Sequence, residues 1–420
     1  MRHSDRSKRT PYVKPVQRVE LSEKNIRIRM ILIVVLLAIA VVSILTGLSS
    51  ALRTEPGWQE ITVEAKQANC GKEFVLNYDF SDAGSAATSQ FKTLTALYST
   101  ACVDAFHIFS PDVQSDDLLN VHYLNAYPNE TVTVDPILYN ALSLVQQHRN
   151  RHIYLAAVYA EYDRIFQSEN DVAAAEYDPV QNPALMEYIS EAASFANDPA
   201  KIDIQLLGEN QVKLLVSDDY LAFLEEHEIE TLIDFGWMKN AFIADYLAQV
   251  LADNGFTTGY LASYDGFTRN LDTRGNNYSF NVFDRQVDGI YMPAVLTYAA
   301  PSAIVFLRDY PMVQSDAWHY YAFPNGRIAS LLIDPADGRN KSSIDSLVSY
   351  GANQSCAELL LQMVPVFISD EFSTASLQAM ATNGIHSIWC EGQTVCYTDA
   401  DANLSQQLQD NMTYTKVYAG

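Results

Sequence analysis

The stretch LIDFGWMKNAFIADYLAQVLADNGFTTGYLASYDG occupies residues 232–266 and predicts, in order, a strand, a turn, an amphipathic helix, a second strand and a glycine-bearing turn. After Asn240 the apolar side chains recur at helical spacing, and Gly255 marks the end of the helix. Later in the chain, IDPADGR at residues 333–339 is rich in the residues that form tight turns. These two stretches indicate a folded domain in which strands and helices alternate.

The same mixture continues on both sides of these stretches. Helices are predicted at 87–98, 135–148, 153–166, 185–197, 218–226, 356–368 and 373–383, and strands at 61–64, 73–78, 131–134, 201–206, 211–216, 277–283, 303–308, 327–333 and 346–351. Mixed strand pairs with helices at their sides indicate an α+β fold and not a regular βαβ array. We assign this domain to residues 61–400, after a linker at 53–60 and before a polar tail at 401–420.

The N-terminal region differs in charge from the rest of the chain. Residues 1–29 contain nine Lys or Arg and three Asp or Glu, whereas residues 30–420 carry a net charge of −30. Residues 30–52 read MILIVVLLAIAVVSILTGLSSAL without a charge, and about 20 apolar residues span a bilayer as a helix. Because the basic segment comes first, the positive-inside rule places residues 1–29 in the cytoplasm and the main domain outside. We therefore expect a single-pass protein of the cell membrane. A cleaved signal peptide is the alternative, but the leader and the apolar run are both long for one.

The acidity of the main domain limits its partners. A net charge of −30 disfavours nucleic acid and anionic lipid surfaces as ligands of this domain. It would also repel a dinucleotide at long range, so such a ligand would need a local cation or a helix N-terminus.

The five cysteines contain no CxxC pair. Cys390 and Cys396 flank EGQTV, which is typical of a hairpin turn, and a disulfide across this turn is one interpretation. Buried free thiols are the other.

General catalytic motifs are absent, including GxGxxG, GxxxxGK[ST], HExxH and GxSxG. His148 and His152 are spaced to share one helix face as metal ligands, but Arg149 and Arg151 beside them would oppose a bound cation. We therefore interpret these histidines as part of a solvated surface.

Residues 234–245 resemble, without a gap, the pattern DLGGIAKGYAVD of the FAD:protein FMN transferase (ApbE) family. Asp234, Gly236 and Asp245 are kept. Asn240 stands at the family's lysine, and Lys239 comes one place early.

Three further segments resemble the same family. Its GGD turn corresponds to DGF at residues 265–267, which keeps Gly266. A family strand that ends in HxIDPxTG is similar to residues 331–339, which keep Asp334 but have Leu331 at the histidine. Upstream, LLNVHYLN resembles the end of another family segment and keeps Asn125.

The resemblance spans roughly residues 60–400 and implies an ApbE-like fold of mixed sheets with flanking helices. It also implies FAD as a substrate, Mg²⁺, and transfer of FMN through its phosphate to a threonine of an extracytoplasmic acceptor protein. An electron-transfer protein outside the membrane is the alternative partner. The residues that the resemblance places around FAD are Asn125, Asp234, Gly236, Lys239, Gly266 and Asp334.

The magnesium ligands of the family lie on a helix that resembles ADAxxT, and the corresponding positions here are Glu358 and Gln362. Both are oxygen ligands, which a hard cation accepts. The resemblance predicts that they meet in a cleft beside Asp234. The alternative is that they form the polar edge of a buried helix.

Three interpretations of function remain open at this point. The first is a divergent, membrane-anchored FMN transferase. The second is a non-catalytic flavin-binding or scaffold protein of the same fold, in which Trp237, Phe267 or Tyr264 would fill the cleft. The third is an unrelated anchored acidic domain without such a cleft.

Overall fold

The computed structural model describes residues 56–63, 70–114, 119–406 and 413–420. The predicted cytoplasmic tail at 1–29 and transmembrane segment at 30–52 lie outside these ranges. Within the described ranges, no helix has both the length and the apolar character that crossing a bilayer requires.

The helices of the described residues follow one another between the strands. They are α1 (Cys70–Glu73), α2 (Ala87–Phe109), α3 (Val121–Ala126), α4 (Pro136–Gln147), α5 (Ala156–Phe166), α6 (Asp171–Glu176), α7 (Pro183–Asn197), α8 (Asp218–Glu226), α9 (Lys239–Asp253), α10 (Cys356–Phe367) and α11 (Thr374–Ala381). Short 3-10 segments occur at Ser81–Ala86, His152–Tyr154, Gly236–Met238 and Gln314–Trp318.

The strands are mostly short. They are β1 (Trp58–Ile61), β2 (Phe74–Asp79), β3 (Thr131–Thr133), β4 (Ile202–Gly208), β5 (Gln211–Val216), β6 (Gly259–Ser263), β7 (Phe267–Asn270), β8 (Asn277–Gln286), β9 (Gly289–Ala299), β10 (Ser302–Arg308), β11 (Tyr320–Ala322), β12 (Ile328–Ser330), β13 (Ser346–Gly351), β14 (His386–Glu391), β15 (Thr394–Tyr397), β16 (Asn403–Gln406) and β17 (Thr415–Tyr418).

A nine-stranded sheet organises the domain, in the order β1-β2-β6-β7-β10-β13-β14-β15-β17. Its neighbouring strands run antiparallel, except that β17 pairs parallel to β15. The smaller sheets have the orders β16-β9-β8, β3-β5-β4 and β11-β12. This mixed arrangement confirms the predicted α+β class.

Both faces of the large sheet are covered, which explains why all seven residues of β10 are buried. Ala303, Val305 and Leu307 pack into the core that contains α2, α9 and α10. Ile304 and Phe306 belong to the core on the other face, beneath the sheet β16-β9-β8. The alternation follows from the two-residue repeat of a strand.

The domain extends beyond the predicted boundary at residue 400. Instead of forming a polar tail, residues 401–420 contribute β16, which pairs with β9, and β17, which pairs with β15. At the other end, β1 begins at Trp58, inside the predicted linker. These strands have only four residues each, which is too short to show a clear alternation of apolar and polar side chains. Strand β16 also pairs with a strand far away in the sequence, with Asn403 opposite Thr297.

The two hairpin cysteines face opposite sides of the sheet. Cys390 packs in the core beneath β16-β9-β8, and Cys396 packs in the core on the helical side. Across the hairpin, Cys390 pairs with Val395 and Cys396 pairs with Trp389. Because a disulfide needs Cβ atoms that approach closely, these two side chains do not form one, and both thiols are free.

Candidate functional site

A tight turn connects residue 233 to helix α9. The backbone N–H of Asp234 donates to the carbonyl of Ile153 at 2.8 Å, and its side-chain Oδ1 accepts from the N–H of Gly236 at 2.9 Å. The aspartate that the pattern keeps therefore closes its own turn and aims the chain into the helix.

Gly236 is required in this turn by conformation and by space. Its φ is +53°, and a Cβ at this position would lie 3.0 Å from the ring of Tyr159. Any larger residue would be strained and would press on a buried tyrosine.

A cleft with a cavity of about 450 Å³ lies beside this turn, at the N-terminal end of α9. Asp234, Gly236 and Lys239 line it, which brings together three of the predicted site residues. Aromatic side chains supply much of the apolar wall: Phe106, Phe109, Phe166, Trp237 and Trp318. Trp318 is 70 % exposed at the rim, so its indole face is available for stacking.

The cleft remains open despite its aromatic residues. Trp237 forms part of the wall, and its ring meets His152 edge to face, with 6.3 Å between the centroids. Phe267 is buried in the sheet and Tyr264 is exposed, and neither lines the cleft. The blockage expected for a non-catalytic protein is therefore not observed at these three residues.

The polar lining of the cleft is strongly acidic. It contains five carboxylates, on Glu73, Asp112, Asp163, Asp234 and Asp265. Lys239 and His319 are the basic residues that line it. Such a wall attracts cations and repels an unaccompanied phosphate.

Burial raises the pKa of several of these acids. The pKa of Asp163 on α5 is raised to about 6, mainly by burial and further by the neighbouring charge of Asp234. Burial also raises the pKa of Asp234 and of Asp265. Carboxyl groups that titrate closer to neutral pH are suited to proton transfer.

Asn240 connects two of the carboxylates from the first turn of α9. Its Nδ2 donates to Glu73 Oε2 at 2.8 Å and to Asp265 Oδ2 at 2.9 Å. Lys239 is farther from this group, with its Nζ 3.8 Å from Glu73 Oε1. Asn240 and Asp265 are both positions at which the sequence departs from the family pattern, and the fold places them in direct contact.

Asn125 has a structural role next to the cleft. Its amide donates to the carbonyl of Ile233 at 3.0 Å and accepts from the N–H of Ile233 at 2.9 Å. Both ends of the buried side chain are thus occupied by the backbone that precedes Asp234. Asn125 fixes the position of the turn but does not line the cleft.

Gly266 and Asp334 also support the backbone near the cleft and do not face the cleft themselves. Gly266 has φ +110°, and a Cβ would lie 2.3 Å from the carbonyl oxygen of Phe306. The side chain of Asp334 accepts from the N–H of Ala336 at 2.8 Å and pairs with Lys341 at 3.0 Å. Neither residue lines the cleft.

Glu358 and Gln362 lie together on α10, but outside the cleft. Gln362 Nε2 donates to Glu358 Oε1 at 2.9 Å, and His148 Nε2 lies 3.1 Å from Glu358 Oε2. Both carboxylate oxygens are therefore engaged by nitrogen groups, which is a poor arrangement for a divalent cation. In the described part of the chain, no group of three or more His, Cys, Asp or Glu side chains is placed to hold a metal.

The two histidines do not form the solvated surface that the sequence suggested. His148 is partly buried against Glu358, and His152 is buried, which lowers its pKa to about 4. Because His152 belongs to a separate 3-10 segment, the two rings do not share a helix face.

Sequence reasoning missed Glu73, Asp163 and Trp318 as cleft residues. None of them lies in a recognisable motif, and they come from three distant segments. Asn240 and Asp265 could have been identified from the sequence, because each replaces a residue of the family pattern with one of different charge. Asn240 stands at the lysine of the pattern, and Asp265 stands at the first glycine of its GGD turn.

Comparisons with known proteins support the fold. No protein-family model matches the chain, and no curated protein matches it in sequence. Among solved structures, the ApbE protein of Thermotoga maritima aligns with a TM-score of 0.54 and 13 % identity, over 83 % of this chain and 97 % of that chain. The flavin transferase ApbE of Vibrio cholerae aligns with a TM-score of 0.51 and 13 % identity, over 80 % and 92 % of the two chains. The chain therefore has an ApbE-like fold.

Proposed function

We propose that this protein binds a flavin nucleotide in the cleft beside Asp234 and transfers FMN from FAD to a threonine of an acceptor protein. The observation that carries the proposal is the open cavity of about 450 Å³ at the N-terminal end of α9, within a fold like that of flavin transferases. Its volume is in the range of small-molecule sites.

The parts of the cleft are suited to the parts of FAD. The exposed indole of Trp318 offers a face for the isoalloxazine ring. The N–H groups at the start of α9 and the ammonium of Lys239 would meet the pyrophosphate. The surrounding carboxylates oppose this anion, so nucleotide binding should depend on added cations.

The transfer is a displacement at phosphorus. The threonine oxygen forms a bond to the phosphorus on the FMN side, the bond from that phosphorus to the bridging oxygen breaks, and AMP leaves with the electron pair. The hydroxyl proton must pass to a base. Asp163 is the candidate, because it lines the cleft and has a pKa of about 6.

The Glu358–Gln362 pair does not fit the magnesium ion that the resemblance implies. Its carboxylate oxygens are occupied by Gln362 and His148, and the pair lies outside the cleft. No step of the transfer is assigned to a cation held there.

Flavin binding without transfer is the second candidate. It is favoured by Leu331, which lines the cleft where the family pattern has a histidine. An apolar side chain at this position can neither donate nor accept a proton.

A single assay separates these candidates. The full chain, kept in mild detergent because the sequence predicts an apolar segment, is mixed with FAD, MgCl₂ and an acceptor domain that carries a threonine. Flavin fluorescence reports binding, and chromatography reports AMP. Release of AMP together with covalent flavin on the acceptor, and not on its Thr→Ala variant, supports the transferase. Binding without AMP supports the second candidate, and absence of binding overturns both.

A further inference from the structure

A groove outside the flavin cleft lies on the face of the large sheet that is turned away from the helices, with a volume of about 550 Å³. Leu261 of β6 packs into the core on the helical side, so the preceding residue, Tyr260, faces the other way. The same alternation along β2 and β1 places Asn77 and Trp58 on this face. The start of β8, which is an edge strand of its own sheet, forms the opposite wall. The groove is therefore built from strands of two sheets.

Three aromatic rings surround this groove. The ring centroid of Trp58 lies 5.9 Å from that of Tyr260 and 6.2 Å from that of Tyr278, and the two tyrosine rings are 6.3 Å apart. Their planes are inclined by 47° to 85°, so no pair is stacked face to face. Trp58 is 46 % exposed, although an indole gains much from burial. The cluster thus presents aromatic surface that a ligand can cover.

Two of the lining side chains are held from behind by one buried carboxylate. The hydroxyl of Tyr278 and the Nδ2 of Asn276 both donate to Oδ2 of Asp272, which is fully buried. Arg274 compensates this carboxylate, with 2.9 Å between its Nε and Asp272 Oδ1. The ring and the amide are therefore oriented before a ligand arrives, which reduces the conformational entropy that binding would cost.

The groove offers hydrogen bonds without charge. Its lining consists of the three rings, three asparagine amides and one serine hydroxyl, although residues 30–420 carry −30 overall. Within the described residues, neither the amide of Asn77 nor that of Asn277 has a hydrogen-bond partner. An amide can donate and accept at once. An ionic ligand would find no opposite charge in this lining, and a purely apolar ligand would cover the amides without satisfying them.

We propose that this groove binds a neutral saccharide. A pyranose ring has an apolar C–H face, which packs on an aromatic ring, and hydroxyl groups at its edge, which both donate and accept. Trp58, Tyr260 and Tyr278 offer the aromatic rings. Asn77 and Asn277 offer amides that can each bridge two neighbouring hydroxyls. The volume of the groove lies in the range of small-molecule sites.

An extended peptide that pairs with the edge of β8 is the rival occupant, and the size of the groove argues against it. Only Asn277, Tyr278 and Ser279 of this strand line the groove, which corresponds to about 10 Å of strand. Strands in folded proteins are usually about 17–20 Å long. The groove is therefore too short for a paired peptide strand, whereas a short saccharide fits it.

The test adds sugars to the full chain in a zwitterionic detergent, which has no sugar headgroup. The probes are glucose and N-acetylglucosamine, each as the monomer and as the β-1,4-linked trimer. Saturation-transfer NMR identifies the sugar protons that contact the protein, and titration calorimetry measures the affinity. We expect at least one probe to bind, with the strongest transfer to ring C–H protons. A trimer that binds better than its monomer identifies a polymer chain as the source of the ligand, and equal binding identifies a free sugar.

Three variants connect binding to the groove. Trp58→Ala should weaken saccharide binding by about tenfold or more, because it removes the most exposed of the three rings. Asn277→Ala, at the exposed start of β8, should weaken it severalfold and tests the site even if Trp58→Ala disturbs β1. Tyr418→Ala is the matched control, because Tyr418 is 49 % exposed but lies outside the groove. It should leave saccharide binding unchanged.

The outcomes separate the saccharide site from its rivals. Absence of binding for every probe at millimolar concentrations would overturn the proposal, and so would binding that persists in both Trp58→Ala and Asn277→Ala. If no sugar binds but Trp58→Ala weakens binding of an acceptor domain, the groove takes a peptide and the saccharide proposal is wrong.

The proposal is independent of the flavin function. The groove shares no lining residue with the flavin cleft, so Trp58→Ala should leave FAD binding unchanged. Saccharide binding that depends on Trp58, in a protein that never binds FAD, would support the groove and overturn the flavin function. Binding of FAD without any saccharide would have the opposite meaning.

Discussion

At the scale of the residue, the carboxyl group of Asp163 lowers the stability of the folded protein at neutral pH and is also the proposed proton acceptor of the transfer. Its pKa in the folded protein is about 6, above its ordinary value of 3.8, because it is largely buried and lies near Asp234. The folded state therefore binds more protons than the unfolded state between pH 4 and 6. As the pH rises through this window, the free energy of unfolding decreases.

Asp163→Asn should remove this pH-dependent loss. We expect the variant to be more stable than the parent above about pH 6, by on the order of 1 kcal/mol after allowing for solvent screening. The difference should shrink as the pH falls to 4. Urea unfolding at several pH values measures it, and the exposed Asp253→Asn serves as the control. A stability difference that does not vary with pH would contradict the assignment.

The same variant tests the proposed proton acceptor. If Asp163 accepts the threonine proton, Asp163→Asn should reduce the rate of AMP release by about 100-fold or more while FAD binding persists. A more stable protein with an unchanged rate would show that the carboxyl group has no part in the transfer.

Gly266 illustrates a residue whose role is set by backbone contact. A Cβ would lie 2.3 Å from the carbonyl oxygen of Phe306, in a backbone conformation with φ +110°. Gly266→Ala should therefore lower the free energy of unfolding by about 3 kcal/mol. Gly275→Ala is the matched control, because Gly275 also has positive φ but nothing within 4 Å. We expect a loss of about 1 kcal/mol there, and equal losses in the two variants would refute the contact.

At the scale of the element, Asp245 ties helix α9 to helix α10. Its carboxylate accepts from the N–H groups of Cys356 and Ala357, at 2.9 and 2.8 Å, and lies 3.1 Å from Arg269. An acidic group at a helix N-terminus satisfies free N–H donors and interacts favourably with the helix dipole. The aspartate kept at the end of the family pattern is thus a structural connection between two helices.

Asp245→Ala should separate this role from one in ligand binding. We expect a loss of about 2 kcal/mol in the free energy of unfolding, because two N–H donors and a partly buried arginine lose their acceptor. FAD affinity, measured well below the unfolding temperature, should change little, since Asp245 does not line the cleft. Asp253→Ala, at the exposed end of the same helix, controls for helix propensity. A large loss of affinity with unchanged stability would contradict the structural role.

The elements that the sequence predicted well are those with a strong local signal. Helix α4 begins after Asp135, whose side chain accepts from Ile137 N–H as its N-cap, and the hairpin of β4 and β5 has the predicted bounds within one or two residues. Strand β9 and the C-terminal strands were not predicted. Strand β16 pairs with a strand far away in the sequence, with Asn403 opposite Thr297. Strands β9 and β17 have partners nearer in the chain, but several of their side chains are exposed, which hides the alternation of apolar and polar residues.

At the scale of the whole molecule, the fold could be anticipated but the composition of the cleft could not. The order of motifs led to an ApbE-like arrangement, which structural similarity supports. The acidic wall, however, is assembled from α1, α5 and the turn after β6, which are brought together only by the tertiary structure. Of the predicted FAD-binding residues, Asn125, Gly266 and Asp334 support the backbone around the site instead of lining it.

The overall charge leads to a prediction about how fast FAD binds. Residues 30–420 carry −30, and the cleft itself is acidic, so the negatively charged nucleotide approaches against a repulsive field. Salt screens such a field, with a Debye length of about 30 Å at 0.01 M and about 8 Å at 0.15 M. We therefore expect the association rate constant of FAD to rise severalfold as NaCl increases from roughly 10 to 150 mM, the reverse of electrostatic steering.

Stopped-flow flavin fluorescence at fixed MgCl₂ measures this effect, and riboflavin provides the matched control because it has the same ring system without phosphates. Its association rate should be nearly independent of salt. If the rate for FAD instead falls as salt is added, the nucleotide must enter along a local cationic path, and Lys239 at the cleft wall would be the residue to test. If riboflavin responds to salt as strongly as FAD, the salt acts on the protein and the repulsion of the phosphates does not control binding.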